Sequence, residues 1–346
     1  MSRIGFVGAG AGVASSAFVV DQTLPEAELT VFEKSGGLCG RAAARRHGPI
    51  TYEYGANYLK DDDERVTELV TETLDDEGLV DITEPVWTFD SDGAISEGRD
   101  ADDHKWTYRD GITQLAKRLF GRTDATVHRR TRVEIIERCG EQWHLEDSDG
   151  DTWGPFDALV VNPPAPQTAT LLDAAVWDAP LRNTLVDAIE AVPYRSVWAA
   201  VLGYERSLEV PYYALVNADK AHDVGWIARE ECKPGHIPDG ESVLIVQSNH
   251  EWALEHYDDE PDANVEELAV QTAAIIGEDW LSEPSWTDHQ GWRYALPEDG
   301  VNRGPIDTAA REHDLYFVGD WVAGEARLHA AIRCGLDTGE RIVYSL

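Results

Sequence analysis

VGAGAGVASS, Val7 to Ser16, follows the strand-like run Arg3–Val7 and decides how this chain is read. Gly8 and Gly10 let the backbone turn tightly and come close to a pyrophosphate. The helix that follows, read over Ala14 to Val20, presents free amides and its positive dipole end to an anion, and Ala11 and Gly12 in the turn before it are expected contacts. In the pattern G-x-G-x-x-G the third glycine would occupy position 13, where the chain has Val13; Gly12 beside it allows a shifted turn. Glu28–Glu33, with Leu29, Val31 and Phe32 apolar, reads as the next strand, which makes a βαβ opening. Glu33 ends it 25 positions after Gly8. An acidic side chain there accepts from both ribose hydroxyls of an adenosine and disfavours a 2′-phosphate.

The 346 residues carry 65 acidic against 29 basic side chains, a net charge of −36, and lysine is scarce, 6 Lys against 23 Arg. Such self-repulsion opposes a compact state in dilute buffer, whereas molar salt shortens the screening length to about 3 Å. The balance points to a salt-adapted cytoplasmic protein. An acidic surface for a basic partner is the rival reading, although the acids are spread along the whole chain. Nucleic-acid binding is set aside, because scattered arginines and few lysines leave no basic face. Cys39, Cys139, Cys232 and Cys334 form no C-x-x-C pair and adjoin no histidine cluster, so buried free thiols are expected and no metal site. No apolar run approaches the roughly 18 residues needed to span a membrane, so no membrane partner is expected.

Downstream, DDDERVTELVTETL places Val66, Leu69, Val70 and Leu74 at helical spacing behind aspartates suited to a helix start. YRDGITQLAKRLF reads as a turn and a short helix, and RVEIIER, QWHLED and DALVVNPP as strands. The last is apolar and runs through Asn162 into Pro163-Pro164, as a buried strand leading into a loop does. A second β-rich section covers Tyr194 to Tyr294, interrupted by a helix near Val265 to Ile276. LYFVGD, Leu315 to Asp320, restores a buried parallel strand, and a final helix starts about Arg327. The fold expected is α/β: a discontinuous Rossmann-type domain from residues 1–60, 106–165 and 298–346, and a β-rich substrate or cap domain from 61–105 and 166–297.

EKSGGLCGRAAARR, Glu33 to Arg46, resembles the E-x5-G-G-R segment of FAD-dependent amine oxidases and their relatives; Gly40 and Arg41 match, and Cys39 stands at the family's first glycine. YEYGANYL resembles that family's D-x-G-A-Q-Y-F stretch, with Asn57 in place of Gln. Together with SNHEWALEHYDDEPDANVEEL and the more specific HQGWRYALP, it narrows the resemblance to the renalase-like branch. VGDWVAGEARLHAAIRCGLDTGERI resembles the C-terminal G-D-x-x-x-G…A-x-x-S-G-x-x-A-A signature, one residue longer between Gly324 and Arg327, with Cys334 in place of Ser. The resemblance implies FAD as cofactor. Arg41 would lie along its diphosphate, and Asp320, after Gly319, would bond the ribityl chain. The helix around Ala331, Ile332 and Gly335 would approach the pyrimidine edge. Lys34, Val133 on the adenine-side strand and Asn162 complete the expected contacts, with noncovalent binding.

The same resemblance implies an oxidase that returns dihydropyridine isomers of NAD(P)H to NAD(P)+, with dioxygen as electron acceptor. Trp292, Tyr294 and Tyr54 would wall the nicotinamide ring, Arg293 would meet a phosphate or the carboxamide, and Asn57 and His329 complete the candidate catalytic set. His329 reads equally as a helix-surface histidine, and Tyr54 and Tyr58 as packing beneath the flavin. An oxidase of small amines is the alternative. Such enzymes carry a lysine linked through water to the flavin N5, and here the last lysine, Lys233, lies outside the Trp-Arg-Tyr segment. Val13 and Cys39 prompt a third reading, a non-catalytic flavin- or nucleotide-binding protein.

Overall fold

The structure is a computed structural model that describes residues 1–98, 103–177 and 180–346. Residues 99–102 and 178–179, inside the ranges expected for the cap, lie outside the described residues. Five parallel strands form the first sheet, in the spatial order Thr126–Arg129, Glu28–Glu33, Arg3–Val7, Ala158–Val161, Leu315–Phe317. Every residue of Ala158–Val161 is buried, as a parallel strand covered on both faces must be. Strand order reverses between Arg3–Val7 and Ala158–Val161. At such a switch point the crevice beyond the carboxyl ends of the strands takes a ligand, and Gly8, Gly10 and Asn162 stand there.

Helix Ala11–Thr23 packs against the C-terminal helix Leu328–Ser345 at unusually close range. A Cβ on Gly335 would overlap the carbonyl oxygen of Gly12, and one on Gly339 would lie 2.8 Å from that of Ser16. This explains Val13. The close approach here is between two helices, through Gly12 and Gly335, so Val13 is free to fill the core and is completely buried.

The second layer is a seven-stranded sheet, in the order Trp286–Pro297, Tyr194–Tyr204, Ser242–Ser248, Val224–Arg229, Ala214–Asn217, Val86–Phe89, Ile95–Ser96. Period-two alternation divides its faces. Ala200, Leu202, Leu244 and Val246 pack with Leu268 and Ala269 of helix Pro261–Ile276. Val201, Ala228 and Ile245 pack on the other face with Ile50, Tyr52 and Tyr54, from the segment that leaves the nucleotide-type domain.

The expected partition needs correction. Val66, Leu69, Val70 and Leu74, and also Leu171, Leu172, Leu185 and Ile189, belong to the core of the first sheet and not to the cap. Of the described residues in 61–105, only Val86–Phe89 and Ile95–Ser96 join the cap sheet; Lys105–Tyr108 pairs with Leu59–Lys60 and Leu79–Asp81. The expected acidic helix is shorter, Glu64–Glu68, passing into a π turn over Leu69–Thr73. Asp63 caps it, taking the Val66 amide at 3.1 Å. RVEIIER and QWHLED stand apart from the parallel sheet, in an antiparallel one with Thr152–Phe156.

Candidate active site

The glycine turn is shaped by its neighbours. Gly8 has φ +98°, in a region costly for any residue with a Cβ. A Cβ on Gly10 would overlap Asn162 Oδ1, which accepts from the Gly10 amide at 3.2 Å while Asn162 Nδ2 donates to Val318 O at 2.8 Å. Asn162 thus ties together the ends of three strands beneath the turn. Glu33 accepts from the amides of Ala9 at 2.9 Å and Ser35 at 2.7 Å. Among the described residues no side chain caps helix Ala11–Thr23, so its first amides remain available to an anion.

Cys39, in a left-handed conformation, donates its amide to Ala9 O at 2.9 Å and brings Gly40 and Arg41 beside the turn. Burial pushes its thiol up to about 12, so it is an inert filler where a glycine was expected. Arg41 donates to Asp320 Oδ1 at 2.7 Å and to Ala295 O at 2.7 Å. Burial works against its charge, but Asp320 outweighs that and holds the guanidinium protonated. The pair joins the glycine-rich segment to Gly319-Asp320 and to cap strand Trp286–Pro297. Ala331 O and Val318 Cγ2 lie 3.1 and 3.0 Å from where a Gly12 Cβ would be. Ile332 is completely buried behind them. Lys34 is turned outward to Gln167 Oε1 at 3.3 Å. Val133 lies just past the first sheet, at the start of the antiparallel one, partly buried on the core.

Alternation along Trp286–Pro297 splits the Trp-Arg-Tyr segment. Trp292 stacks on Tyr54, centroids 5.4 Å apart and planes 15° off parallel, and its Nε1 donates to Tyr54 O at 3.1 Å. Tyr294 meets Tyr194 edge-on at 5.8 Å. Arg293 points to the opposite face, its guanidinium 4.2 Å from the Tyr257 ring centroid and 3.6 Å from Asp258. The expectation that Arg293 meets the substrate beside Trp292 is therefore wrong, for a reason of strand geometry. Nor is His329 a surface histidine: it is 2% exposed, with Nε2 3.2 Å from Glu325 Oε1.

The sequence reading passed over Arg45. Its guanidinium lies 4.1 Å over the Tyr54 ring, on a ring that Trp292 also faces, and is fixed by Asp288 at 2.8 Å and Gln290 at 2.7 Å. Its signal was the basic run after Gly40-Arg41. Gln247 was also missed; its Nε2 donates to Gly55 O at 2.8 Å, as does Asn57 Nδ2 at 3.1 Å, leaving Asn57 Oδ1 buried without a partner among the described residues.

Behind Tyr54 lies a sealed ionic cluster. Lys233 Nζ donates to Glu53 at 2.8 Å and to Glu230. His236 Nδ1 faces Glu230 and Nε2 faces Tyr108 O, each at 2.9 Å. A carboxylate and a carbonyl can only accept, so both ring nitrogens carry protons. Burial opposes the imidazolium, yet Glu230 raises the His236 pKa above its usual value. Two carboxylates and two cations balance, all four side chains with no solvent exposure. Lys233 is thereby committed and unavailable to the cofactor.

A family model for flavin-containing amine oxidoreductases matches residues 83–343, three quarters of the chain, and one for an NAD(P)-binding Rossmann-like domain matches residues 7–73. The chain belongs to the flavin-containing amine oxidoreductases. Members of this family are FAD-dependent oxidoreductases. The residues here suit that cofactor: an uncapped helix start, a turn too tight for side chains and an acid at the ribose position. Among solved structures, the chain is similar to a protein provisionally named protoporphyrinogen oxidase from Exiguobacterium sp. 255-15, at 14% identity and TM-score 0.79, covering 100% of this chain and 99% of that one. It is also similar to a fatty acid isomerase from P. acnes, at 14% identity, TM-score 0.71 and 98% of each chain, and to putrescine oxidase, at 11% identity, TM-score 0.74 and 99% of each. At such identities the likeness carries the fold alone. Among the described residues no helix is long and apolar enough to cross a membrane, and no group of three or more His, Cys, Asp or Glu is placed to hold a metal ion.

Proposed function

We propose that this flavoprotein is a renalase-like oxidase of dihydropyridine isomers of NAD(P)H, oxidising them to NAD(P)+ with dioxygen as acceptor. FAD, when bound, takes up the hydride and passes the electrons on. The observation that carries the reading is the stacked pair Tyr54 and Trp292, with Lys233, behind Tyr54, committed to Glu53 and Glu230. Arg45 lies over Tyr54, and Trp292 stacks on the same ring; a flat substrate ring would extend this stack on Trp292. Tyr294 and the Arg41–Asp320 pair border the same strand face. These residues orient a planar donor and exclude water; hydride transfer asks no protein group to form a bond. Against the amine reading stands Lys233, buried with both its carboxylate partners.

The test is anaerobic addition of isomeric dihydro-NAD(P) to FAD-loaded protein in molar salt. Bleaching of the flavin bands supports the reading; bands that persist with dihydropyridines but bleach with small amines overturn it. The charge balance supports salt adaptation, with a melting temperature that rises steadily between about 0.1 and 2 M KCl as repulsion is screened. A flat or falling curve would remove that proposal.

A further inference from the structure

Three buried side-chain polar atoms without a hydrogen-bond partner among the described residues belong to side chains that adjoin one another: the Tyr213 hydroxyl, Trp226 Nε1 and Asn57 Oδ1. The rings of Tyr58, Tyr213 and Trp226 form a triangle, with centroids 6.2 Å apart for Tyr58 and Tyr213, 6.5 Å for Tyr58 and Trp226, and 6.3 Å for Tyr213 and Trp226. Asn57 adjoins Tyr58 in the chain. Its amide nitrogen and Gln247 Nε2 share the Gly55 carbonyl, and Gln247 is the register partner of Trp226 in the cap sheet. Gly55 also packs on Trp292, whose Cζ2 is 3.3 Å from where a Gly55 Cβ would be. The three residues therefore lie where the segment Tyr54–Tyr58 packs on the cap sheet, beside the aromatic pair.

Leaving such groups unpaired in the interior is costly, and native interiors hold few of them. The site also carries no spare charge. Lys233 Nζ lies 5.8 Å from the Tyr213 ring centroid, but its charge is balanced by Glu53 and Glu230. Two donors and one acceptor with no net charge suit an uncharged ligand group that has a carbonyl oxygen with two lone pairs and an N–H to give. A carboxamide has both. A carboxylate would offer nothing to Asn57 Oδ1, and an ammonium nothing to Trp226 Nε1.

We propose that Tyr213, Trp226 and Asn57 recognise the substrate's carboxamide, with Tyr213 and Trp226 donating to its oxygen and Asn57 accepting from its nitrogen. The inference rests on the dihydropyridine reading above. Tyr213 is fully buried, whereas Tyr58 and Trp226 are partly buried; the ring of Tyr58, on the cofactor-domain side, is the wall that must move to admit the group.

The experiment compares wild type with Tyr213→Phe, Trp226→Phe and Asn57→Ala as FAD-loaded proteins in molar salt. Each is titrated anaerobically with an isomeric dihydro-NAD and with its 3-acetyl counterpart, which keeps the carbonyl and lacks the amide N–H. Wild type should bind the amide form about 10-fold more tightly than the acetyl form, the size expected when a buried acceptor is left unpaired. Asn57→Ala should erase that preference. Tyr213→Phe and Trp226→Phe should weaken both ligands about 10-fold while the limiting bleaching rate changes little, a loss of binding and not of chemistry. Tyr213→Phe removes a hydroxyl that bonds nothing, so it should melt at or above the wild-type temperature; melting well below it would assign Tyr213 a structural bond and overturn the proposal. If wild type bleaches but the variants bind as it does, the carboxamide site falls while the dihydropyridine reading stands. If wild type bleaches with neither dihydropyridine, both fall.

Discussion

Replacing Glu53 by glutamine tests the buried cluster that holds Tyr54 in place. The Glu53 carboxylate accepts from Lys233 Nζ at 2.8 Å, from the Ile112 amide at 2.6 Å and from the Thr107 hydroxyl. The substituted side chain keeps one acceptor but turns an amide N–H₂ toward an ammonium or an N–H, and it removes one negative charge from a set of two and two. Lys233 and His236 then share Glu230 alone, with one uncompensated positive charge and no solvent near it. Removing one partner of a buried pair costs about 3–5 kcal/mol, a large part of a typical total of about 5–15 kcal/mol. With a urea slope of about 3 kcal/mol per molar, the unfolding midpoint should fall by roughly 1–1.7 M. The drop should be similar in 1 and 3 M KCl, because salt does not screen a sealed pair as it does exposed ones. The double variant Glu53→Gln, Lys233→Met leaves Glu230 and His236 balanced and should be more stable than Glu53→Gln alone. A single-variant loss below about 1 kcal/mol, or a double variant weaker than the single, would show that the four charges are not balanced as described.

The pH dependence of the same cluster follows from its shifted groups. The raised His236 pKa contributes stability fully present below about 6.5 and lost as pH rises through the folded value. The lowered Glu230 pKa, where burial is outweighed by Lys233 and His236, contributes stability present above about 4.3 and lost as pH falls through its folded value. The stability difference between wild type and His236→Gln, measured by urea unfolding, should therefore shrink as pH rises from 6 through the folded His236 value; a constant difference contradicts the imidazolium assignment. Gly10→Ala should abolish FAD retention, read from the visible spectrum after gel filtration, because its Cβ displaces Asn162 from beneath the turn; full retention would mean that the turn is not the cradle. Arg293→Ala should leave kcat/KM within about 2-fold, since its side chain lies against Tyr257 and Asp258, and a loss of 10-fold or more would put Arg293 back at the substrate.

How much was legible in the sequence varies with the kind of signal. The turn Gly8–Gly10, the acid Glu33 and the strand ending at Asn162 were readable because each answers to backbone geometry or to a fixed place in a βαβ unit. Arg41 and Asp320 came only through the resemblance, and no spacing in the chain announces that they pair with each other. Arg293 was misplaced because it was set at the same substrate as its neighbours Trp292 and Tyr294, whereas a strand turns each successive side chain to the opposite face. The quartet of Glu53, Glu230, Lys233 and His236 could not be read at all. Its members are up to 183 positions apart, and in a chain this acidic two more glutamates carry no signal. The cap boundary failed for a similar reason: the apolar positions of 61–81 state that a face is buried, but not against which of two cores.

The decisive experiment is the flavin spectrum of protein purified in molar salt, recorded before and after anaerobic addition of isomeric dihydro-NAD(P). For a dihydropyridine oxidase, the purified protein shows FAD bands that bleach on addition and return when dioxygen is admitted. Bands that stay unchanged with dihydropyridines, while a small amine bleaches them, would contradict that assignment.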